Sequence, residues 1–233
     1  MTRLLVGLCG LWMSSALAAA PQQVAATYSL TKQGQQIGTI TESFKQSEGR
    51  YQLESVTSAI GVYALFMKGK IRLISSGEVT DLGLRPRHFE HHRAADPAKT
   101  VQADFDWEKM NLTHRFDGRT ESVALEPGAQ DRISLQYQFM FAPPGKEGIR
   151  LFMTTGKKLN LYHYKLAGGK KISTPAGQFQ AVRLVKQRTA DEDGTEIWLA
   201  KKRHFFPVRI IVEEHNGGKL EQNLTSLTIE GDL

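Results

Sequence analysis

The sequence holds a single cysteine, Cys9, and it falls inside an N-terminal stretch that reads as a removable leader. The exported chain therefore has no disulfide, no thiol nucleophile and no cysteine-ligated metal. It has no other apolar run approaching the roughly 20 residues of a membrane-spanning helix, no low-complexity segment, no long linker and no internal repeat. It also has no G-x-S-x-G elbow, and no serine sits beside a base that local sequence would hold in place. These absences point away from nucleophilic catalysis, and no enzyme is expected. No cofactor or metal is expected either.

The leader itself is short and recognisable. Arg3 is its one charge, an apolar run follows from Leu4 to Met13, and Ala16-Leu17-Ala18 supplies the small residues of a cleavage site. The expected division is a signal peptide over 1–18, with cleavage as late as 20 as the alternative, and a single β-rich domain over 19–233. Lipidation at Cys9 is disfavoured because Leu8 precedes it where a small residue is wanted. A chain of this length can bury on the order of 70% of its unfolded surface, enough for a core without crosslinks. Its net charge of +6 becomes +5 when Arg3 leaves with the leader. That balance suits anionic envelope components such as lipid head groups, or simply a soluble basic surface. Nucleic acid is not an expected partner of an exported protein.

What the sequence does contain is alternation. Val101, Ala103, Phe105 and Trp107 alternate with Gln102, Asp104 and Asp106, and Met110, Leu112, His114 and Phe116 follow suit. One face of such strands is buried and the other wet. Turn signals at Gly34, Glu48-Gly49, Asp117-Gly118, Gly168-Gly169 and Pro175-Ala176-Gly177 divide the chain into about a dozen strands. One segment breaks the pattern. Between Pro127-Gly128 and Pro143-Pro144-Gly145, about twelve residues from Asp131 to Ala142 form a helix of roughly 18 Å, with Asp131 as N-cap. Ile133, Tyr137, Met140 and Phe141 give one apolar row, and Leu135 with Phe139 gives a second, so the helix belongs inside something. Open sheets of more than about ten strands curl or close. The predicted fold is a large curled antiparallel sheet, half-barrel or barrel-like, around one central helix, with a second short helix possible at 62–67.

Two groups of residues carry the side-chain types of a binding site. His88, Glu90 and His92 share one strand face and make the ligand types of a two-histidine, one-carboxylate site, but alternate side chains on a strand start about 7 Å apart. A solvated strand face explains them, and His91 and Arg93 point the other way. The second group is apolar. Val62-Tyr63-Ala64-Leu65-Phe66-Met67 is either a lid over a cavity or ordinary core, and Lys68 and Lys70 flank it. With Phe139, Phe152 and Trp198, the residues Phe66, Met67, Lys68 and Lys70 form the candidate ligand-binding set, the lysines receiving an anionic head group and the aromatics a tail.

Ser75 to Pro86 (SSGEVTDLGLRP), Pro127 to Leu135 (PGAQDRISL), and the pair EIWLA and FPVRI between Glu196 and Ile210 resemble a bacterial exported family, domain-of-unknown-function family 3108. The resemblance implies a Gram-negative periplasmic, β-rich protein and no particular activity. The architecture is also similar to the periplasmic lipoprotein carriers, half-barrels closed around helices. The expected function is that of a non-catalytic periplasmic carrier or sensor of an apolar or lipid-like ligand, such as lipid or lipoprotein acyl chains. The alternative is an envelope interaction or assembly protein acting through a sheet edge or apolar patch. A monomer is expected.

Overall fold

The computed structural model describes residues 21–66 and 69–230, so the expected leader lies outside the described residues. The first half of the chain is a run of antiparallel strands: β1 (Gln23–Lys32), β2 (Gln35–Ser47), β3 (Arg50–Ala59), the one-turn helix α1 (Tyr63–Phe66), β4 (Ile71–Thr80) and β5 (Gly83–Arg93). After a 3-10 turn at Pro97–Lys99 come β6 (Val101–Asp106), β7 (Asn111–Phe116) and β8 (Arg119–Ala124). A two-residue strand β9 (Gln130–Asp131) leads into helix α2 (Ser134–Phe141). The second half follows with β10 (Ile149–Thr154), β11 (Leu159–Thr174), β12 (Gly177–Lys186), β13 (Gly194–Ala200), β14 (Phe206–Glu213) and β15 (Lys219–Ile229). Among the described residues no helix is long and apolar enough to cross a membrane.

All fifteen strands form one sheet in the order β8-β7-β6-β5-β4-β3-β2-β1-β15-β14-β13-β12-β11-β10-β9. Pairing is antiparallel except between β9 and β10. β1 and β15 form the spine, and each half of the chain makes one wing. The sheet is curled and not closed into a barrel, and α2 lies in its concavity.

Alternation accounts for the buried surface. Val24, Ala26 and Tyr28 of β1, Ile40 and Phe44 of β2, and Tyr51 and Leu53 of β3 point inward in period two. Tyr137 of α2 stacks on Phe44 at 5.4 Å and meets Phe206 of β14 edge-on at 5.5 Å, so it touches both wings. Such pairs contribute roughly 0.5–1.5 kcal/mol each beyond burial. The two apolar rows of α2 go to separate clusters. Ile133, Tyr137 and Met140 join the larger core, while Leu135 and Phe139 pack with Leu151, Met153, Ile197 and Ile210 of the second wing.

The helix is shorter than the spacing predicts, eight residues starting at Ser134. Asp131 still caps it, from the end of β9. Its Oδ1 accepts the N–H groups of Ile133 (3.0 Å) and Ser134 (2.8 Å), and the Ser134 hydroxyl accepts the Asp131 N–H at 2.9 Å. That reciprocal pair takes up donors that the first turn would otherwise leave bare. Gly168-Gly169 is a bulge inside the single long strand β11 and not a turn between two strands. A Cβ on Gly169 would stand 2.8 Å from the Ala181 carbonyl oxygen, which explains why a glycine keeps the ladder running here.

Candidate functional site

The polar residues of α2 and its approach tie the helix to the first wing. The Gln130 amide donates to the Leu84 carbonyl at 2.8 Å, and Asp131 Oδ2 accepts the Ser75 hydroxyl at 2.5 Å. Gln138 accepts the Leu84 N–H at 2.6 Å and donates to the Leu82 carbonyl at 2.9 Å. It lies against Gly83, whose φ of +101° and lack of Cβ make room for the amide. Tyr137 donates to Glu42 Oε2 at 3.1 Å, and Ser55 donates to Oε1 at 3.1 Å. Burial pushes the Glu42 carboxyl up to about 7 against these two hydrogen bonds.

The free margins of the two wings meet across a seam without strand pairing. The His114 imidazole (β7) is hydrogen-bonded to the Thr154 hydroxyl (β10) at 2.9 Å, and Lys157 pairs with Asp117 at 2.7 Å. Gly156, with φ of +95°, lays the β10–β11 loop on β5 and β6; a Cβ there would be 2.6 Å from Val101 Cγ2 and 3.3 Å from Phe89 Cε1.

Two spaces open beside this seam and share Arg132 and Thr155. The larger is a cleft of about 680 Å³ between α2 and the second wing. Leu135, Met153, Tyr162, Tyr164, Ile197 and Ile210 make its apolar wall, and Lys186, Glu192 and Asp193 stand among its polar lining. The smaller, about 250 Å³, is lined by His91, Arg93, Lys99, Val101, Arg132, Thr155 and Lys157. Arg132 is open to solvent yet walled in on several sides. Burial, then the neighbouring Arg93, lower its pKa.

The set singled out from the sequence is dispersed. Phe66 is 80% exposed on α1, and Val62 and Leu65 are exposed with it, so this segment is not core. Met67 and Lys68 lie outside the described residues, and Lys70 is on the surface. Phe139 is fully buried in the cluster behind the cleft wall. Phe152 packs against the larger core. Trp198 is buried beneath Lys170 and Arg183, whose cationic groups lie 5.1 and 5.4 Å from its ring centroids. Of those among the described residues, none lines either space.

His88, Glu90 and His92 do converge, but on one another. Glu90 takes His88 Nε2 at 2.9 Å on one oxygen and His92 Nε2 on the other, and His88 Nδ1 meets Asp104 at 2.6 Å. Burial alone would raise the Glu90 carboxyl, but the bonds from both imidazoles outweigh it and hold its pKa below the ordinary value. Among the described residues no three such side chains are placed to hold a metal ion. His91 and Arg93, which point away from that cluster, are the ones that line a cavity. Their sharing of a strand face with Phe89 was the available signal.

A comparison with curated proteins finds no match. Among solved structures the chain is similar to a protein described as exported, with a YmcC-like fold, from Bacteroides fragilis. That similarity has 11% identity and a TM-score of 0.39 over 89% of this chain and 96% of the other. It is also similar to a protein described as a lipoprotein from Parabacteroides distasonis, at 7% identity and a TM-score of 0.35 over 89% and 97%. Both similarities are slight, and neither bears on what this chain does. The sequence itself is decisive about kinship: the model of the family described as "Protein of unknown function (DUF3108)" matches residues 25–225, and the chain belongs to that family.

Proposed function

We propose that this chain is a non-catalytic periplasmic binding protein that carries or senses an amphiphilic, lipid-like ligand in the cleft between α2 and the second wing. The observation that carries this reading is the cleft itself. Its volume of about 680 Å³ falls in the range of ligand sites, roughly 300–1,000 Å³. One wall is apolar, and Arg132, whose guanidinium has no carboxylate paired with it among the described residues, lines the cleft where a polar head would be received. Phe139 supports that wall from behind, packed with Leu135, Met153, Ile197 and Ile210.

The test is uptake of a fluorescent fatty acid by the purified chain and by Leu161→Trp, which adds bulk at an exposed position on the cleft lining. Expected is saturable uptake by the parent and loss of about tenfold or more in the variant, at an unchanged thermal midpoint. Absence of uptake by the parent removes the reading.

A second reading is favoured by one specific observation. All six residues of β8 are exposed, and its outer edge has no partner strand among the described residues. Such an edge can accept a strand from an envelope partner. Ser122→Pro, which blocks strand addition, should then abolish crosslinking to that partner and leave fatty-acid uptake intact.

A further inference from the structure

The smaller space at the seam has features that a lipid tail does not need. Five side chains able to carry positive charge line it: His91, Arg93, Lys99, Arg132 and Lys157. They arrive from four places in the chain, namely the end of β5, the 3-10 turn, the approach to α2, and the β10–β11 loop. Two are already balanced, Lys99 by Asp96 at 2.9 Å and Lys157 by Asp117 at 2.7 Å. Among the described residues no carboxylate pairs with the guanidinium of Arg93 or of Arg132. Two like charges are therefore held beside each other in a concavity with no carboxylate paired to either among the described residues, an arrangement that raises the free energy of the empty pocket.

His91 adds an independent observation. Its side chain is 7% exposed, and its Nε2 has no hydrogen-bond partner. Buried polar atoms are nearly always satisfied, so an unpartnered ring nitrogen on a residue that lines a cationic pocket marks a missing acceptor or donor. Burial first, then Arg132, Arg93, His92 and Lys157, push the imidazole down to about 4. An anion would relieve each of these strains together.

We infer that the seam pocket binds a phosphoryl group. Two guanidinium groups without a paired carboxylate match a dianion. Their planar forks fit phosphate oxygens bidentately, and a third oxygen remains for the imidazole of His91 or the hydroxyl of Thr155. A carboxylate, with two oxygens and one charge, leaves one guanidinium unmatched. The volume of about 250 Å³ admits a phosphoryl group with room to spare. Because Arg132 and Thr155 also line the larger cleft, a phosphate here can be the head of a molecule whose tail lies along the apolar wall. That last step rests on the amphiphile reading; the anion site does not.

The experiment uses the whole chain, titrated calorimetrically with inorganic phosphate, with dihexanoyl phosphatidate and with dihexanoylglycerol, while the His91 ring resonances are followed by NMR. Expected is binding of both phosphate-bearing probes, weakened about tenfold or more in Arg93→Gln, and a His91 pKa raised by about one unit or more when phosphate is bound. Arg93 is exposed and lines only the smaller space, so its replacement should leave the fold intact, as an unchanged thermal midpoint would verify. Phosphatidate far tighter than phosphate identifies a lipid head group as the source. Equal affinities identify free phosphate or a small phosphomonoester, and either result upholds the site. Failure of both probes to bind overturns it, as does binding to Arg93→Gln equal to that of the parent. Dihexanoylglycerol separates the two readings: if the parent fails to bind it while phosphate binds, the cleft loses its ligand and the phosphoryl site stands.

Discussion

The hydroxyl of Tyr137 donates to the carboxylate of Glu42 at 3.1 Å, joining residues 95 positions apart and anchoring α2 to the floor of the sheet. Glu42 occupies an inward position of β2 between Ile40 and Phe44, with hydroxyl donors and no cation among its hydrogen-bond partners. A carboxylate so placed is costly to ionise.

Stability should therefore depend on pH in a defined way. The folded chain holds the Glu42 proton up to about 7, against 4.5 for an ordinary glutamate. Above 4.5 the unfolded chain loses that proton first, so stability falls as pH rises from about 4.5 to 7, by about 3 kcal/mol at most. His91 has the opposite slope: its imidazole, pushed down to about 4 from 6.5, costs stability as pH falls through that window. In the parent the two slopes oppose each other between 4.5 and 6.5. Denaturant midpoints of Glu42→Gln relative to the parent should rise steadily across that range and level off above 7. A pH-independent difference would contradict the buried carboxyl.

Asp131→Ala should be among the most damaging single changes. It strips acceptors from the Ile133 and Ser134 N–H groups and from the Ser75 hydroxyl, all in buried surroundings. Leaving such groups unsatisfied costs about 1–3 kcal/mol each, so a loss of about 3 kcal/mol or more is expected in urea unfolding. Ser75→Ala should cost about 1 kcal/mol, and the two changes should not add, because they share one bond.

Gly156→Ala tests the seam. The backbone conformation is one that residues with a Cβ adopt at a cost of order 1–3 kcal/mol, and the new methyl would press on Val101 and Phe89. Amide exchange should accelerate around Thr154 and His114 while the spine strands β1 and β15 keep their protection. Uniform acceleration would mean that the seam is not a separable contact.

Phe66→Ser separates surface from core at α1. At 80% exposure the ring has little to lose, and a change within about 0.5 kcal/mol is expected. A loss of several kcal/mol in thermal unfolding would place this segment in the core after all.

Much of this fold was legible because a strand's period of two writes burial directly into the sequence. The alternation through Val101, Ala103 and Phe105 gave β6, and the prolines at 143 and 144 marked the end of α2. The helix start was misplaced because Asp131 caps from a strand, so its position in the pattern looked helical two residues early. Glu42 was readable in principle as the one charge in the inward row of β2. The seam pocket was not, because His91, Lys99, Arg132 and Lys157 are neighbours only after the sheet has curled. Strand parity placed His91 and Arg93 on the inner face, and nothing local to β5 shows what that face meets.

The strand order has a kinetic consequence. Within each wing every antiparallel ladder joins consecutive strands, so each half of the chain can assemble by short loop closures. The exception is the spine, where Thr27 pairs with Ser226 and Ser29 with Asn223, at the far ends of the described chain. Closing so long a loop carries the largest entropy cost in the topology and contributes most to its contact order. Each wing should therefore collapse early, and joining β1 to β15 should be rate-limiting. Leu112→Ala, deep in a wing already formed at that step, is then expected to slow refolding in stopped-flow measurements with little change in unfolding, whereas Leu224→Ala, in the buried row of the spine that is still closing, should also speed unfolding.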